Sequence, residues 1–320
     1  MLNKIAIIGG AGNVGAMTAF LAAQQKLAKQ IAIVDIPPKD SFARGLALDM
    51  SQATGSDVIG GSAYENIKDA DVVVITAGLP RKPNMDRKDL VNINAPIMRS
   101  ACENVKTFAP QSKVIVVANP MDSMCHVALE TTGFPKNRVI GMGGILDSAR
   151  YKHFIALALR KKGIRFKTIS PALMGGHGNE MVPLPRLTLV DGKPLSKLLA
   201  PAELDEVVTK TRKGGAEIVG LLGNGSAYYA PASSVIEMIK LMGGKPQGKK
   251  PQKPVPCAVY LDGQYGIKNL VVGVPVELDE NGVRKIVETP LTEAERQQLQ
   301  NSAKEVQDTV DEMRSLHLLA

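Results

Sequence analysis

Residues 4–15 read Lys-Ile-Ala-Ile-Ile-Gly-Gly-Ala-Gly-Asn-Val-Gly: a short apolar run, then glycines, then a helix-like stretch that begins at Asn13. In a strand–loop–helix unit of this kind, glycines allow a tight turn, a close approach of the backbone to a pyrophosphate, and close packing of helix on strand. The helix N-terminus adds free N–H groups and the positive end of the helix dipole. The stretch therefore predicts a dinucleotide-binding loop formed by Gly10, Ala11, Gly12, Asn13, Val14 and Gly15.

Asp35 ends the next apolar run, 20 residues after Gly15. On its own, an aspartate in that place could be a helix cap or a turn residue. After a glycine-rich loop, the same spacing is typical of an acid that accepts hydrogen bonds from a ribose. A carboxylate there also repels a 2′-phosphate, so we expect the cofactor to be NAD and not NADP.

Short apolar runs alternate with helix-like stretches up to about residue 145. This alternation, with strands that are apolar on both faces, is typical of a doubly wound parallel α/β sheet, the Rossmann fold. The predicted strands are Lys4–Ile8, Ile31–Val34, Asp71–Thr76, Lys113–Ala118 and Arg138–Gly141. The predicted helices are Asn13–Lys29, Phe42–Met50, Asp89–Phe108 and Asp122–Thr131.

The pattern changes after residue 145, where longer helices are followed by strands that read as antiparallel. The predicted helices are Asp147–Lys162, Glu203–Leu222, Ala230–Met242 and Thr292–Leu316. The predicted strands are Pro254–Leu261, Leu270–Leu278 and Val283–Val287, the last two joined by a turn at Asp279–Gly282. We expect a Rossmann NAD-binding domain over residues 1–145 and an α+β catalytic domain over residues 146–320.

The net charge of +8 raises the question of a nucleic-acid partner, since basic residues cluster in Arg160–Lys167 and Lys245–Lys253. Aromatic residues make up only 4% of the chain, tryptophan is absent, and the two clusters contain one aromatic side chain, Phe166. Nucleic-acid surfaces usually combine basic with aromatic side chains. We therefore interpret the charge as a solvated basic face that attracts small anions, and we expect no nucleic-acid partner.

Cysteine and histidine usage argues against a disulfide framework and against a metal site. The three cysteines (Cys102, Cys125, Cys257) and the four histidines are widely separated in the sequence. This is typical of reduced thiols in a cytoplasmic protein. The first apolar run is too short for an export signal, and no stretch approaches the roughly 18 apolar residues of a membrane span. We expect a cytoplasmic protein without a metal or a membrane partner.

Several further motifs follow the first loop in order. They are Thr76-Ala77-Gly78-Leu79-Pro80-Arg81-Lys82-Pro83 with Arg87, Val117-Ala118-Asn119-Pro120, Asp147-Ser148-Ala149-Arg150, Gly176-His177-Gly178-Asn179 and Gly225-Ser226-Ala227-Tyr228-Tyr229-Ala230. Over nearly its whole length the chain resembles the lactate/malate dehydrogenase family, and within it the lactate-dehydrogenase-like branch that acts on malate. The resemblance implies hydride transfer between NAD and the C2 carbon of a 2-hydroxy acid, in a homodimer or homotetramer.

Reduction of a 2-keto acid needs a proton donor at the carbonyl oxygen, and histidine suits this task because its pKa lies near neutrality. His177 lies in a glycine-rich loop where a substrate can approach, whereas His126, His153 and His317 are better explained by packing or surface exposure. Asp147 is the expected partner of the His177 ring, although it could instead be a helix N-cap.

Arg150 follows Asp147 by three residues, so the two side chains should share a helix face. A guanidinium there can bind the C1 carboxylate of the substrate through two hydrogen bonds. The resemblance further implies that Arg87 polarises the carbonyl, that Asn94 and Val117 contact the cofactor, and that Asn119 contacts both cofactor and substrate.

The resemblance assigns the distal carboxylate of the substrate to Arg81, a position where lactate dehydrogenases usually carry Gln. Arg81 therefore predicts a four-carbon dicarboxylate, malate or oxaloacetate. Two alternatives stay open: a dehydrogenase for lactate or another 2-hydroxy acid, and a non-catalytic protein that senses NAD or associates with nucleic acid. The second has no use for the full set of His177, Asp147, Arg150 and Arg87. The chain departs from many relatives at Gly176, Asn179, Asn84 and Asp86.

Overall fold

The computed structural model describes residues 1–80, 87–223, 225–243 and 253–319. The helices are α1 (Asn13–Gln24), α2 (Asp40–Thr54), α3 (Arg87–Phe108), α4 (Met121–Thr132), α5 (Gly144–Lys161), α6 (Pro201–Leu222), α7 (Tyr229–Met242) and α8 (Glu293–Ser315). The strands of the first half are β1 (Leu2–Ile8), β2 (Ala28–Val34), β3 (Asp57–Gly61), β4 (Val72–Ile75), β5 (Lys113–Val116) and β6 (Val139–Gly141). Those of the second half are β7 (Ile169–Ser170), β8 (Leu173–Gly175), β9 (Met181–Pro183), β10 (Leu189–Val190), β11 (Lys193–Pro194), β12 (Val255–Asp262), β13 (Lys268–Asp279) and β14 (Gly282–Ile286).

The first half forms a parallel sheet in the order β3-β2-β1-β4-β5-β6. Every residue of β4 and β5 is buried, as strands covered by helices on both faces must be. The strand order reverses direction between β1 and β4, which opens a crevice at the carboxyl ends of these strands. The predicted doubly wound α/β fold is confirmed.

The second half extends the same sheet with antiparallel strands. β12 pairs with β6 at Ala258 and Gly141, and β13, β8 and β9 follow in that order. A small separate sheet, β11-β10-β7, packs with α5 and α6 around a second apolar core that includes Tyr151 and Leu195. The sheet is therefore continuous across residue 145, and the second half joins the first at its β6 edge.

Two local predictions were wrong. Helix α1 ends at Gln24, not at Lys29, because Lys26 adopts a left-handed conformation (φ 51°) and its ammonium binds Thr54 O and Ser56 Oγ. These tertiary contacts outweigh the good helix propensity of the segment. Strand β3 was not predicted, because two of its five residues are glycines. It forms only as the edge partner of β2.

Several large apolar side chains remain exposed on the helices. Phe42 and Leu48 on α2 are 58% and 62% exposed, and Leu157 on α5 is 45% exposed. Such residues are ordinary when scattered, but a group of them can mark an interface. In the described ranges, no helix combines the length and the apolar character needed to cross a membrane.

Candidate active site

The carboxyl edge of the parallel sheet collects most of the residues that the sequence singled out. The glycine-rich loop follows β1, Asp35 follows β2, Leu79 follows β4, and Asn119 follows β5. Helices α4 and α5 also begin at this edge, directly after β5 and β6. Because the strands are parallel, their carboxyl ends necessarily lie side by side, and ligands of such sheets bind there.

The turn after β1 depends on Gly9, which lies just outside the predicted loop. Gly9 has φ +81°, and a Cβ on it would lie 2.5 Å from the backbone nitrogen of Ala77. Its N–H donates to Val34 O at 2.8 Å, as does that of Gly10 at 3.1 Å. The tight turn is therefore made by Gly9. The doubled glycine in the sequence was the available signal.

Gly10 and Gly15 serve close packing. A Cβ on Gly10 would lie 2.3 Å from Ile33 Cγ2, and one on Gly15 would lie 2.6 Å from Gly9 O. Gly12 precedes the first turn of α1, and no side chain of the described residues caps that helix. The first N–H groups of a helix have no partner within it. They form a cradle for an anion, so the loop fits the pyrophosphate of a dinucleotide.

Asp35 lies against the glycine-rich loop. Its Oδ2 accepts the Ala11 N–H at 2.9 Å and its Oδ1 accepts the Ile36 N–H at 2.9 Å. Lys39 Nζ lies 3.8 Å from Oδ1, and only 7% of the Asp35 side chain is exposed. The carboxylate is thus fixed beside the loop, where a ribose attached to a bound pyrophosphate would lie.

His177, Asp147 and Arg150 form one contiguous cluster. His177 Nδ1 lies 2.8 Å from Asp147 Oδ2, and Arg150 Nη1 lies 3.3 Å from Asp147 Oδ1. Asp147 is 1% exposed, while the side chains of His177 and Arg150 are each 14% exposed. The buried carboxylate therefore joins two groups that still reach the surface of the crevice, and Nε2 is the ring nitrogen of His177 left for a substrate.

The charge of the His177 ring is set by opposing effects. Burial disfavours the imidazolium, but the charge and hydrogen bond of Asp147 and the charge of Asp122 favour it more, so the pKa of His177 is raised above its usual value. Two carboxylates on different helices thus act on the same ring. The arrangement suits a group that must hold and release a proton near neutral pH.

Arg150 is held in a narrow slot between α5 and α6. A Cβ on Gly215 would lie 3.2 Å from Arg150 Nη2, and one on Gly214 would lie 3.2 Å from Phe154 Cε2. The buried Nε of Arg150 has no hydrogen-bond partner among the described residues. The two glycines leave room for the guanidinium to lie against the helix backbone.

Asp122 is a site residue that the sequence did not identify. It lies in the first turn of α4, and its Oδ2 accepts the backbone N–H of His177 at 2.8 Å. The available signal was an acidic residue that directly follows the predicted site residue Asn119 and its Pro120 at the start of a helix. The structure buries every position from Met121 to Ala128, and a buried charged residue commonly has a specific partner.

Asn94 is buried between the loops after β4 and β5, and its expected contact with the cofactor stays a prediction. It is 1% exposed, its amide oxygen accepts the Leu79 N–H at 2.8 Å, and its amide group donates to Leu79 O and Asn119 O at 3.1 and 2.7 Å. Its polar atoms therefore hold the loops after β4 and β5 together.

The remaining predicted site residues are placed as follows. Asn119 is exposed at the crevice, and Val117 is half-buried. Arg81 and the Arg87 side chain lie outside the described residues.

Comparison with protein families gives two matches that together span most of the chain. Residues 3–141 match the NAD-binding domain of lactate/malate dehydrogenases, and residues 145–316 match the α/β C-terminal domain of the same enzymes. The chain belongs to the lactate/malate dehydrogenase family. The NAD cofactor and the enzyme class expected from the sequence are thereby confirmed.

Individual relatives agree with the lactate/malate dehydrogenase assignment. The chain is 47% identical to a malate dehydrogenase of Staphylococcus carnosus over 311 residues, 96% of each chain. Among solved structures, the malate dehydrogenase of Cryptosporidium parvum superimposes with a TM-score of 0.90 at 38% identity, covering 98% of this chain and 100% of that one. The lactate dehydrogenase of Cryptosporidium parvum, solved with lactic acid and NAD, gives 0.89 at 35% identity, covering 98% of each.

These two superpositions are equally close, so the backbone of this family does not by itself select the substrate. The two family models meet between residues 141 and 145. At this point β6 ends and α5 begins, and Gly143 lies against His177, since a Cβ on it would be 3.0 Å from His177 Cβ. The His177 cluster therefore lies where the two halves join.

Proposed function

We propose that this chain is an NAD-dependent malate dehydrogenase that interconverts (S)-malate and oxaloacetate. The observation that carries the proposal is the cluster of His177, Asp147 and Arg150 at the sheet edge that also bears the dinucleotide loop. The identity of 47% to a malate dehydrogenase over nearly the whole chain supports the same assignment.

His177 is the proton acceptor in malate oxidation. Its Nδ1 faces Asp147, so Nε2 takes the proton of the C2 hydroxyl. NAD held by the glycine-rich loop and Asp35 would supply the hydride acceptor for malate oxidation, and NADH the hydride donor for the reverse direction. Asp147 orients the ring and stabilises the imidazolium that forms. In the reverse direction the imidazolium returns its proton to the carbonyl oxygen of oxaloacetate, and the proton balance closes.

The arginines bind the anionic substrate. Arg150 is partly exposed beside Asp147 and can hold the C1 carboxylate through two hydrogen bonds. We assign the C2 oxygen to Arg87 and the distal carboxylate to Arg81 on sequence grounds. Asn119 contacts substrate and nicotinamide from the loop after β5, and Val117 lies beside the cofactor.

The cofactor contacts follow from the loop geometry. The backbone of Gly10, Ala11, Gly12, Asn13, Val14 and Gly15 binds the pyrophosphate, and Asp35 binds the ribose hydroxyls. Asn94, which fixes the loops after β4 and β5, lies beside the cofactor. We further propose an NAD-binding domain over residues 1–145, a catalytic domain over 146–320, a cytoplasmic location, and assembly as a homodimer or homotetramer without nucleic-acid or membrane partners.

The test is steady-state oxidation of NADH with oxaloacetate or pyruvate, for the unchanged chain and for Arg81→Gln. We expect oxaloacetate to be strongly preferred by the unchanged chain. Arg81→Gln should lower kcat/KM for oxaloacetate by roughly 10- to 100-fold, because a hydrogen bond to a charged group contributes about 1.5–3 kcal/mol. Activity with pyruvate should hold or rise, since pyruvate then leaves no cation without an anion.

His177→Asn provides the control for chemistry. It should reduce turnover by about 10²- to 10⁴-fold, the usual contribution of a general acid–base group, while NADH still binds. Equal activity with both keto acids, or an unchanged ratio in Arg81→Gln, would favour a dehydrogenase of lactate or another 2-hydroxy acid. Full activity of His177→Asn would exclude the mechanism.

A further inference from the structure

We propose that Asp122 is a positioning residue whose buried negative charge favours the protonated form of His177. Among the described residues, Asp122 is hydrogen-bonded to the catalytic loop through the backbone N–H of His177. The inference rests on the proposed role of His177. It predicts that two carboxylates, Asp122 on α4 and Asp147 on α5, together stabilise the imidazolium of His177.

The geometry of Asp122 is unusual for a residue that only anchors a loop. Its Oδ2 accepts the His177 N–H at 2.8 Å, whereas its Oδ1 is buried and has no hydrogen-bond partner among the described residues. The residue as a whole is 8% exposed. A neutral side chain of the same shape could make the one hydrogen bond without burying a charge, so the carboxylate is costly for the fold.

The groups that act on Asp122 come from three elements. His177 and Glu180 lie on the loop between β8 and β9, and Asp147 lies on α5. On α4 itself, Cys125 is the neighbouring titratable group. Helix α8 contributes the neutral Ser302, which binds the same loop. His177 is therefore the cationic partner among these groups, and the two acids disfavour ionisation of Asp122.

The titrations of Asp122 and His177 are coupled. Burial raises the pKa of Asp122 to about 6, although the His177 N–H and the His177 ring lower it. In return, ionised Asp122 raises the pKa of His177. When malate oxidation places a proton on His177, the charge of Asp122 stabilises the product. The same charge holds the imidazolium that oxaloacetate reduction requires.

A purely structural role can be separated from this one because Ser302 anchors the same loop without charge. Its Oγ accepts the Gly176 N–H at 2.8 Å and donates to Glu180 O at 2.6 Å. Removal of Ser302 Oγ therefore perturbs the backbone beside His177 but leaves the electrostatics of its ring unchanged. Ser302→Ala is the matched control for Asp122→Asn, which keeps an acceptor oxygen and removes the charge.

The experiment is an NMR titration of the histidine rings in the full-length chain without ligand, with His177 assigned by its loss in His177→Asn. Asp122→Asn should lower the pKa of His177 by about 0.5 to 1 unit, the low end of the effect of a nearby charge. Ser302→Ala should leave it unchanged. In kinetics, kcat/KM for malate rises as His177 loses its proton, so the Asp122→Asn profile should shift to lower pH by the same amount.

Thermal unfolding gives a second readout, because Asp122→Asn should raise the melting temperature Tm while it lowers the pKa of His177. Because the pKa of Asp122 is higher in the folded chain than the ordinary 3.8, its ionisation destabilises the fold as pH rises from about 4 through about 6. Asp122→Asn should therefore raise Tm relative to the unchanged chain at pH 8 and not at pH 4. A residue kept only for stability would lower Tm when replaced.

An unchanged His177 pKa in folded Asp122→Asn would overturn the proposal, and so would equal shifts in Asp122→Asn and Ser302→Ala. If Asp122→Asn does not fold, Asp122→Ser offers the same test, since it also keeps an acceptor oxygen and carries no charge. The NMR result does not depend on turnover. Failure of the malate assignment would appear instead in the assays with oxaloacetate and His177→Asn.

Discussion

At the scale of single residues, the site depends on carboxylates whose two oxygens have different tasks. Asp147 joins His177 to Arg150, and Asp122 joins the His177 backbone to the buried end of α4. Asp35 accepts the N–H groups of Ala11 and Ile36 beside the glycine-rich loop. In each case hydrogen bonds fix the carboxylate while its charge acts on a neighbouring group, which is how a site combines position with electrostatics.

Asp35 should determine the choice between NAD and NADP. We expect kcat/KM for NADH to exceed that for NADPH with saturating oxaloacetate. Asp35→Ser should lower the NADH value by roughly 10- to 100-fold, through loss of charge-assisted hydrogen bonds to the ribose. It should also raise the NADPH value, because the repulsion of a 2′-phosphate is removed and Lys39 stays nearby.

Asp57→Asn is the control for this change in net charge, since Asp57 is exposed at the other end of the sheet and binds Gln30. The ratio of NADH to NADPH should be the same in Asp57→Asn and in the unchanged chain. If Asp35→Ser left that ratio unaltered, Asp35 would be a structural anchor for Ala11 and nothing more.

At the scale of elements, α6 shapes the site through glycines, which leave room for the side chains of α5. Each helix-interior glycine costs about 1 kcal/mol relative to alanine, and α6 contains Gly214, Gly215 and Gly220. Gly214 and Gly215 face Phe154 and Arg150, whereas Gly220 is exposed with no neighbour within 4 Å of a Cβ. The first two are explained by packing against α5; nothing in the structure explains the third.

Gly215→Ala and Gly220→Ala make a matched pair on one helix. In Gly215→Ala the methyl group should displace the Arg150 guanidinium by a few tenths of an ångström and raise KM for oxaloacetate about 3- to 10-fold, with a smaller change in kcat. Gly220→Ala should raise the free energy of unfolding by about 0.5 kcal/mol and leave both constants unchanged. Similar kinetics in the two variants would show that Gly215 does not position Arg150.

At the scale of the whole molecule, the continuous sheet fixes the catalytic half on the cofactor half and leaves helices on the outside. Phe42, Leu48 and Leu157 are the exposed apolar residues on α2 and α5. Burying side chains of this size stabilises an association by about 1.5–3 kcal/mol each before the costs of association. We propose that these exposed side chains take part in contact between copies of the chain.

Light scattering coupled to size exclusion should give a dimer or tetramer for the unchanged chain. The double variant Phe42→Asp with Leu48→Asp should shift the mass toward one chain of 34.1 kDa, because a buried unpaired charge opposes association. Leu221→Asp, at a leucine that is 82% exposed near the end of α6, is the control for a charge introduced elsewhere. A monomeric unchanged chain, or an unaltered mass in the double variant, would contradict the proposed role of these side chains.

Much of the cofactor half could be predicted because its signals are local. The strand, glycine-rich loop and helix at residues 2–24 are adjacent in the sequence, and parallel strands buried on both faces are apolar throughout. Asp147 and Arg150 were predicted to share a helix face because they are three residues apart. Short strands such as β3 and β10 were missed, since two to five residues carry too little pattern and form only against a partner.

The sequence by itself determined the order of elements, the dinucleotide loop, the acidic residue after β2 and the histidine loop, because each depends on neighbours along the chain. Only the tertiary structure decided which glycine makes the turn, that Gly215 lies against Arg150, and that Asp122 binds a residue 55 positions away. These contacts arise where separate loops and helix ends meet at one sheet edge. Their free energy depends on distance and burial in space, which no local pattern encodes.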